Sequence, residues 1–122
     1  MKKLLILILL VIPGISTATS KALDYCATVE SWAAQKVIQQ LVQKNKDLDP
    51  QRATALLLER TALKEQSKPV TLSEWGPLYT QTIKIQIPFT GNKKPPMTII
   101  ASSIISAEEC SLTEPSYLDM GM

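Results

Sequence analysis

Between Tyr79 and Phe89 the chain alternates with period two. Tyr79, Ile83, Ile85, Ile87 and Phe89 fall on one parity, and Thr80, Thr82, Lys84, Gln86 and Pro88 on the other. That pattern demands an extended strand with one dry face, because only a pleated backbone sends successive side chains to opposite sides. The turn-rich run Thr90-Gly91-Asn92-Lys93-Lys94-Pro95-Pro96 follows, then a second β-branched run from Met97 to Ala107. The spacing predicts an antiparallel hairpin, 79–89 with 97–107. In the second strand Ile99, Ala101, Ile105 and Ala107 share a parity while Ile100 and Ile104 take the other, which predicts either cover on both faces or a bulge near Ser102-Ser103.

A two-stranded hairpin is not stable alone and needs further strands or a helix against its dry face. Ala22 to Asn45 offers the helix. At 100° per residue, Cys26, Val29, Ala33, Ala34, Val37, Ile38 and Leu41 form one arc, and Thr28, Ser31, Gln35, Lys36, Gln39, Gln43 and Lys46 the opposite one. Asp24 and Glu30 near its start and Lys36, Lys44 and Lys46 toward its end complement the helix dipole. The stretch 53–64 is ambiguous. Asp49-Pro50 suits a helix start, and the Ala, Leu, Glu, Arg and Lys that follow favour a helix by local propensity. Leu56-Leu57-Leu58, however, would put apolar groups on both sides of that helix, and the hairpin lacks a third strand, so a strand is the alternative. Ser67 to Pro77 reads as an irregular connection broken by Pro69, Gly76 and Pro77. The expected fold class is α+β, a helix packed on a small antiparallel sheet.

The first residues have the three parts of an export signal: Lys2 and Lys3, the apolar run Leu4 to Ile15, and small residues at Ser16-Thr17-Ala18. Cleavage is expected after Ala18, with Ser20 or Ala22 as alternative sites, leaving one small extracytoplasmic domain over 19–122. The apolar run, broken by Pro13-Gly14, is shorter than the roughly 20 residues a membrane span needs. Of 13 basic and 11 acidic residues in the whole chain, Lys2 and Lys3 leave with the signal, so the mature chain is neutral. Without a basic run longer than Lys93-Lys94 it has no footprint for nucleic acid. The expected location is the periplasm or the medium, and the mature chain has no expected membrane span.

In such a compartment the two cysteines, Cys26 and Cys110, are expected to pair. Closing a loop of about 84 residues removes roughly 4–5 kcal/mol of unfolded-state entropy in the chain-entropy model. A lipid-modified cysteine would directly follow the signal, and a redox pair would be closely spaced; Cys26 and Cys110 are neither.

Candidate recognition residues each carry two readings. Tyr25 and Trp32 lie at the edge of the helix's apolar arc and either close the core's rim or contact a partner. Trp75, in the irregular connection, either caps the core or anchors a partner. Asn92, Lys93 and Lys94 at the hairpin tip form a charged turn that can serve recognition. Glu30 projects into the apolar arc and either meets a ligand or reaches solvent at the helix's open end. The tail 108–122, with Glu108, Glu109, Glu114 and Asp119 and no basic residue, is expected to be a solvated acidic extension, loose after Pro115.

The chain contains no histidine, which removes the commonest general base and metal ligand and every Ser-His or Cys-His pair. Glu108-Glu109, as neighbours on a strand, would point apart rather than converge on one bond. Gly91-Asn92-Lys93-Lys94 lacks a phosphate-loop framework, and Asp47 with Asp49 lacks the glycine and distal glutamate of a calcium loop. No cofactor, metal or catalytic residue is expected. The expected function is an exported protein-binding module, an inhibitor or neutralising partner of an enzyme or toxin. The alternative is an accessory subunit of an envelope or secretion assembly binding through a sheet edge; an enzyme is the least favoured class.

Overall fold

The computed structural model describes residues 21–120, so the expected export signal and the expected cleavage after Ala18 or Ser20 lie outside the described residues. Helix α1 is Trp32–Lys44. Strands β1 (Thr54–Ala62), β2 (Tyr79–Ile87), β3 (Met97–Ile105) and β4 (Ser116–Asp119) form an antiparallel sheet in chain order, a four-stranded meander.

The dry parity of β2 faces the helix. Ile83, Ile85 and Ile87, with Ile99 and Ala101 of β3, pack against Ala34, Val37, Ile38 and Leu41 of α1, and Phe89, Leu48 and Ala53 close one end. Each fully buried isoleucine contributes about 1.5–3 kcal/mol, so this contact is the main source of stability. Small side chains at Ala33 and Ala34, both buried, let the helix approach the sheet closely.

The expected hairpin pairs from Tyr79 opposite Ile105 to Ile87 opposite Met97 without a register shift, so no bulge occurs at Ser102-Ser103. Ser103 is buried toward the helix, whereas Ser102 on the open face shares a 2.8 Å hydrogen bond with Thr82. The bulge lies instead in β1, between Leu57 and Glu59.

Two expectations need correction and one ambiguity is resolved. The first is the continuous helix 22–45, which is interrupted. Residues 21–25 are helical, but the amides of Cys26, Ala27 and Thr28 donate to the carbonyls three residues back, at 3.0, 3.0 and 3.1 Å. Thr28 Oγ1 donates to the Tyr25 carbonyl (2.7 Å) and Ser31 Oγ to the Thr28 carbonyl (2.8 Å), local bonds that compete with the helical ladder. Buried Ser31 is the extended residue from which α1 restarts.

The second is the ambiguity over 53–64, which resolves to the strand alternative, local helix propensity losing. Asp49 does cap, accepting from the Gln51 amide, but only for the single 3₁₀ turn Pro50–Arg52. Arg52 then reaches across to the hairpin tip, where Nη1 donates to Asn92 Oδ1 (3.0 Å) and Nη2 to the Phe89 carbonyl (3.1 Å). From Thr54 the chain takes the open edge of β2, which satisfies a whole row of backbone groups and outweighs propensities of a few tenths of a kcal/mol per residue. Ala55 and Leu57 turn toward the core, leaving Leu56 and Leu58 exposed.

The third is the tail, which is not a loose extension: Ser116–Asp119 pairs with β3 and Tyr117 packs against the core. The connection 63–78 also has more structure than expected. It holds two miniature hairpins, Lys64–Glu65 with Lys68–Pro69 and Thr71–Leu72 with Gly76–Pro77. Gln66 and Ser67, both at positive φ, make the tight turn of the first.

Cys26 and Cys110 form the disulfide, their Cα atoms 5.3 Å apart. It clamps the 21–26 segment to the chain just beyond β3, and Leu23, Cys26 and Ile105 form a second small core there with Tyr79 and Ala107 beside them. Such a staple fits an oxidising, exported setting.

Candidate functional site

The interruption before α1 shapes the surface at the disulfide end. Tyr25 is the last residue of the first helical segment and Trp32 the first of α1, so the break holds both aromatics at its two sides with Glu30 between them in the chain. The opposite wall comes from the turn after β3. There Ser106 Oγ accepts from the amides of Glu108 and Glu109, both at 3.1 Å, which fixes the run leading to Cys110. Between the walls lies a groove of about 710 Å³, into which Tyr25, Glu30, Trp32, Gln35, Glu108 and Glu109 contribute. Its size is that of an ordinary ligand or side-chain pocket.

The aromatics do not close the core. Tyr25 is 55% and Trp32 40% exposed, high for large side chains with so much apolar area. Glu30 is exposed, so it reaches solvent rather than lying buried inside the apolar arc. Among the described residues no cation lines the groove. Lys36, outside the lining, has Nζ 5.7 Å from the Trp32 ring centre and 3.5 Å from Glu114 Oε1. Glu109 is held in place by Ser111, whose amide (3.3 Å) and hydroxyl both bond its Oε2.

A hydrogen-bond network fixes the segment that bears Tyr25. Gln81, fully buried on β2, donates through Nε2 to the Cys26 carbonyl at 3.0 Å and accepts from Arg60 Nε and Nη2, both at 3.3 Å. Arg60 goes on to the Leu23 carbonyl (3.1 Å) and Asp24 Oδ1 (3.0 Å). One glutamine and one arginine thus tie the segment bearing Tyr25 to the sheet.

The other singled-out residues lie apart from this groove. Asn92, Lys93 and Lys94 are exposed at the far end of the β2–β3 hairpin, since Ile87 and Met97 end the ladder there whereas Tyr79 and Ile105 end it near the disulfide. Asn92 is committed to Arg52, and Lys94 Nζ lies 5.1 Å over the Phe89 ring, which leaves Lys93 as the freest of the three. Trp75 sits half-buried in the turn of the second miniature hairpin and belongs to neither core cluster.

Compared with family models, curated proteins and solved structures, the chain matches none. The groove must therefore be understood from its own chemistry. Among the described residues no three potential metal ligands cluster, and no helix is long and apolar enough to cross a membrane. What the groove offers is two exposed aromatic side chains and three carboxylates lining one space on a disulfide-braced frame. Sequence pattern pointed to Tyr25 and Trp32 but missed Glu108, Glu109 and Gln35 as their neighbours; the expected Cys26–Cys110 pairing was the signal that could have placed the start of the tail beside them.

Proposed function

We propose that this chain is an exported protein-binding module that docks its partner in the groove at the disulfide end, acting as an inhibitor or neutralising partner of an enzyme or toxin. The observation that carries the reading is the exposure of Tyr25 and Trp32 around a braced concavity. Tyr and Trp dominate binding hot spots because each buries a large rigid area at little entropic cost. Bracing by the disulfide and by Gln81 and Arg60 lowers the ordering cost of binding. The absence of histidine supports binding over catalysis.

The test is affinity capture from the exported fraction of the producing cell, using mature protein beside the variants Trp32→Ala and Lys93→Glu/Lys94→Glu. A discrete soluble protein retained by the wild type and the tip variant but lost by Trp32→Ala is the expected result. Retention by Trp32→Ala with loss by the tip variant would move the site to the hairpin.

A second reading, an accessory subunit of an envelope or secretion assembly, has one observation in its favour. Strand β1 is an edge of the sheet, nine residues long, with Leu56 and Leu58 exposed along it. Such an edge can accept an added strand, although its bulge limits the length available. Capture of a large envelope complex would select this reading.

A further inference from the structure

We infer that the groove's occupant is an arginine-bearing segment of the partner, its guanidinium stacked on an aromatic ring and paired with the carboxylates that line the same space. The inference rests on the proposed protein-binding role and goes further by naming the chemistry recognised. Its basis is charge complementarity inside a shaped site. Tyr25 and Trp32 supply exposed aromatic faces, and Glu30, Glu108 and Glu109 line the same space, with no cation among the described residues that line it. An unmatched set of carboxylates beside apolar rings repels acidic partners and favours a group that is at once cationic and flat.

Arginine meets both demands. Its planar guanidinium stacks on indole or phenol and still presents donors in a fork that fits carboxylates, whereas lysine is a compact, strongly hydrated charge. Trp32 already takes a cation inside this chain: Lys36 lies 5.7 Å from its ring centre while anchored to Glu114. Ser111 orients Glu109 before any ligand arrives. The rival occupant is a second copy of this chain, whose Lys93 and Lys94 sit at the opposite end of the hairpin and could dock head to tail.

The experiment uses ¹⁵N-labelled mature protein in the Trp75→Phe background, so that the single indole N–H signal is that of Trp32. It is titrated with three capped peptides that alternate glycine with arginine, with lysine or with glutamate. The expected result is a saturable shift of the Trp32 signal with the arginine peptide, several-fold weaker binding of the lysine peptide and none of the glutamate peptide, with affinity falling as salt rises. Glu30→Gln/Glu108→Gln/Glu109→Gln should weaken the arginine peptide by roughly tenfold or more. Glu30→Gln/Glu108→Gln, which leaves the Glu109–Ser111 contact alone, should weaken it by a smaller factor.

Equal binding of arginine and glutamate peptides, no shift at millimolar arginine peptide, or indifference to both carboxylate variants overturns the inference. Concentration-dependent sedimentation abolished by Lys93→Glu/Lys94→Glu would assign the groove to a second copy and overturn it too. The captured partner separates this failure from that of the binding role: if Trp32→Ala loses the partner but the carboxylate variants keep it, the groove stands and arginine recognition falls. If every groove variant keeps the partner, both fall.

Discussion

Gln81 shows how one buried side chain can set the position of a surface. It lies on the apolar parity of β2 among isoleucines, where an unpaired amide would cost about 1–3 kcal/mol, and it is fully satisfied by the Cys26 carbonyl and Arg60. Gln81→Leu keeps the bulk but strips the Cys26 carbonyl and Arg60 of a partner. We expect about 1–3 kcal/mol of lost stability, a fall of roughly 4–8 °C in melting temperature for each kcal/mol. Chemical denaturation of wild type and variant checks this. Asp49 works at the other end of the molecule. The Arg52 side chain that donates to it, helped by the Gln51 amide, lowers its pKa below the ordinary carboxylate range. A lowered folded-state pKa gives stability that is complete above the unfolded value of about 3.9 and is lost as pH falls through the lower folded value. Asp49→Asn should therefore be less stable than wild type at neutral pH, with the difference shrinking as pH falls below about 4, read from denaturation midpoints across the pH series.

At the level of elements, pattern and propensity were unequal guides. The 79–87 and 97–105 strands were legible because their alternation has one physical cause, a dry face, and the pairing follows it residue by residue. Gln81 was overlooked since it is a polar residue on the dry parity, readable only through its partners. The 54–62 strand was illegible from propensity because its cause is distant: the unpaired edge of β2 and the pull of Arg52 toward the hairpin tip. Likewise Ser116–Asp119 has a polar, acidic sequence and becomes a strand because β3 presents an open edge and Tyr117 finds the core. The break before α1, which frames the groove, came from hydroxyls at Thr28 and Ser31 that an apolar-arc pattern does not weigh. Close approach of helix to sheet yields its own prediction. Ala34 is fully buried in the main core, so Ala34→Leu should overpack it and cost about 1–3 kcal/mol, read as a lower denaturation midpoint with an unchanged slope.

Across the whole molecule, the disulfide joins stability to recognition. It links the segment carrying Tyr25 to the turn carrying Glu108 and Glu109, so the two groove walls are covalently fixed to each other. Cys26→Ala/Cys110→Ala should lower stability by about 2–5 kcal/mol, a large share of the 5–15 kcal/mol typical of a domain. It should also weaken the partner more than Ala34→Leu does, because it loosens the site as well as the core. The hairpin tip and the groove lie at opposite ends of the sheet, so charge changes at Lys93 and Lys94 should leave groove binding intact. The most direct check of the central claim is the calorimetric affinity of the captured partner for Trp32→Ala against wild type, with both proteins shown to be folded and oxidised. A loss of about 2 kcal/mol or more, roughly thirtyfold in Kd, is the result predicted for an anchor in a docking groove. Unchanged affinity for Trp32→Ala, with the loss appearing instead in Trp75→Ala, would contradict the claim.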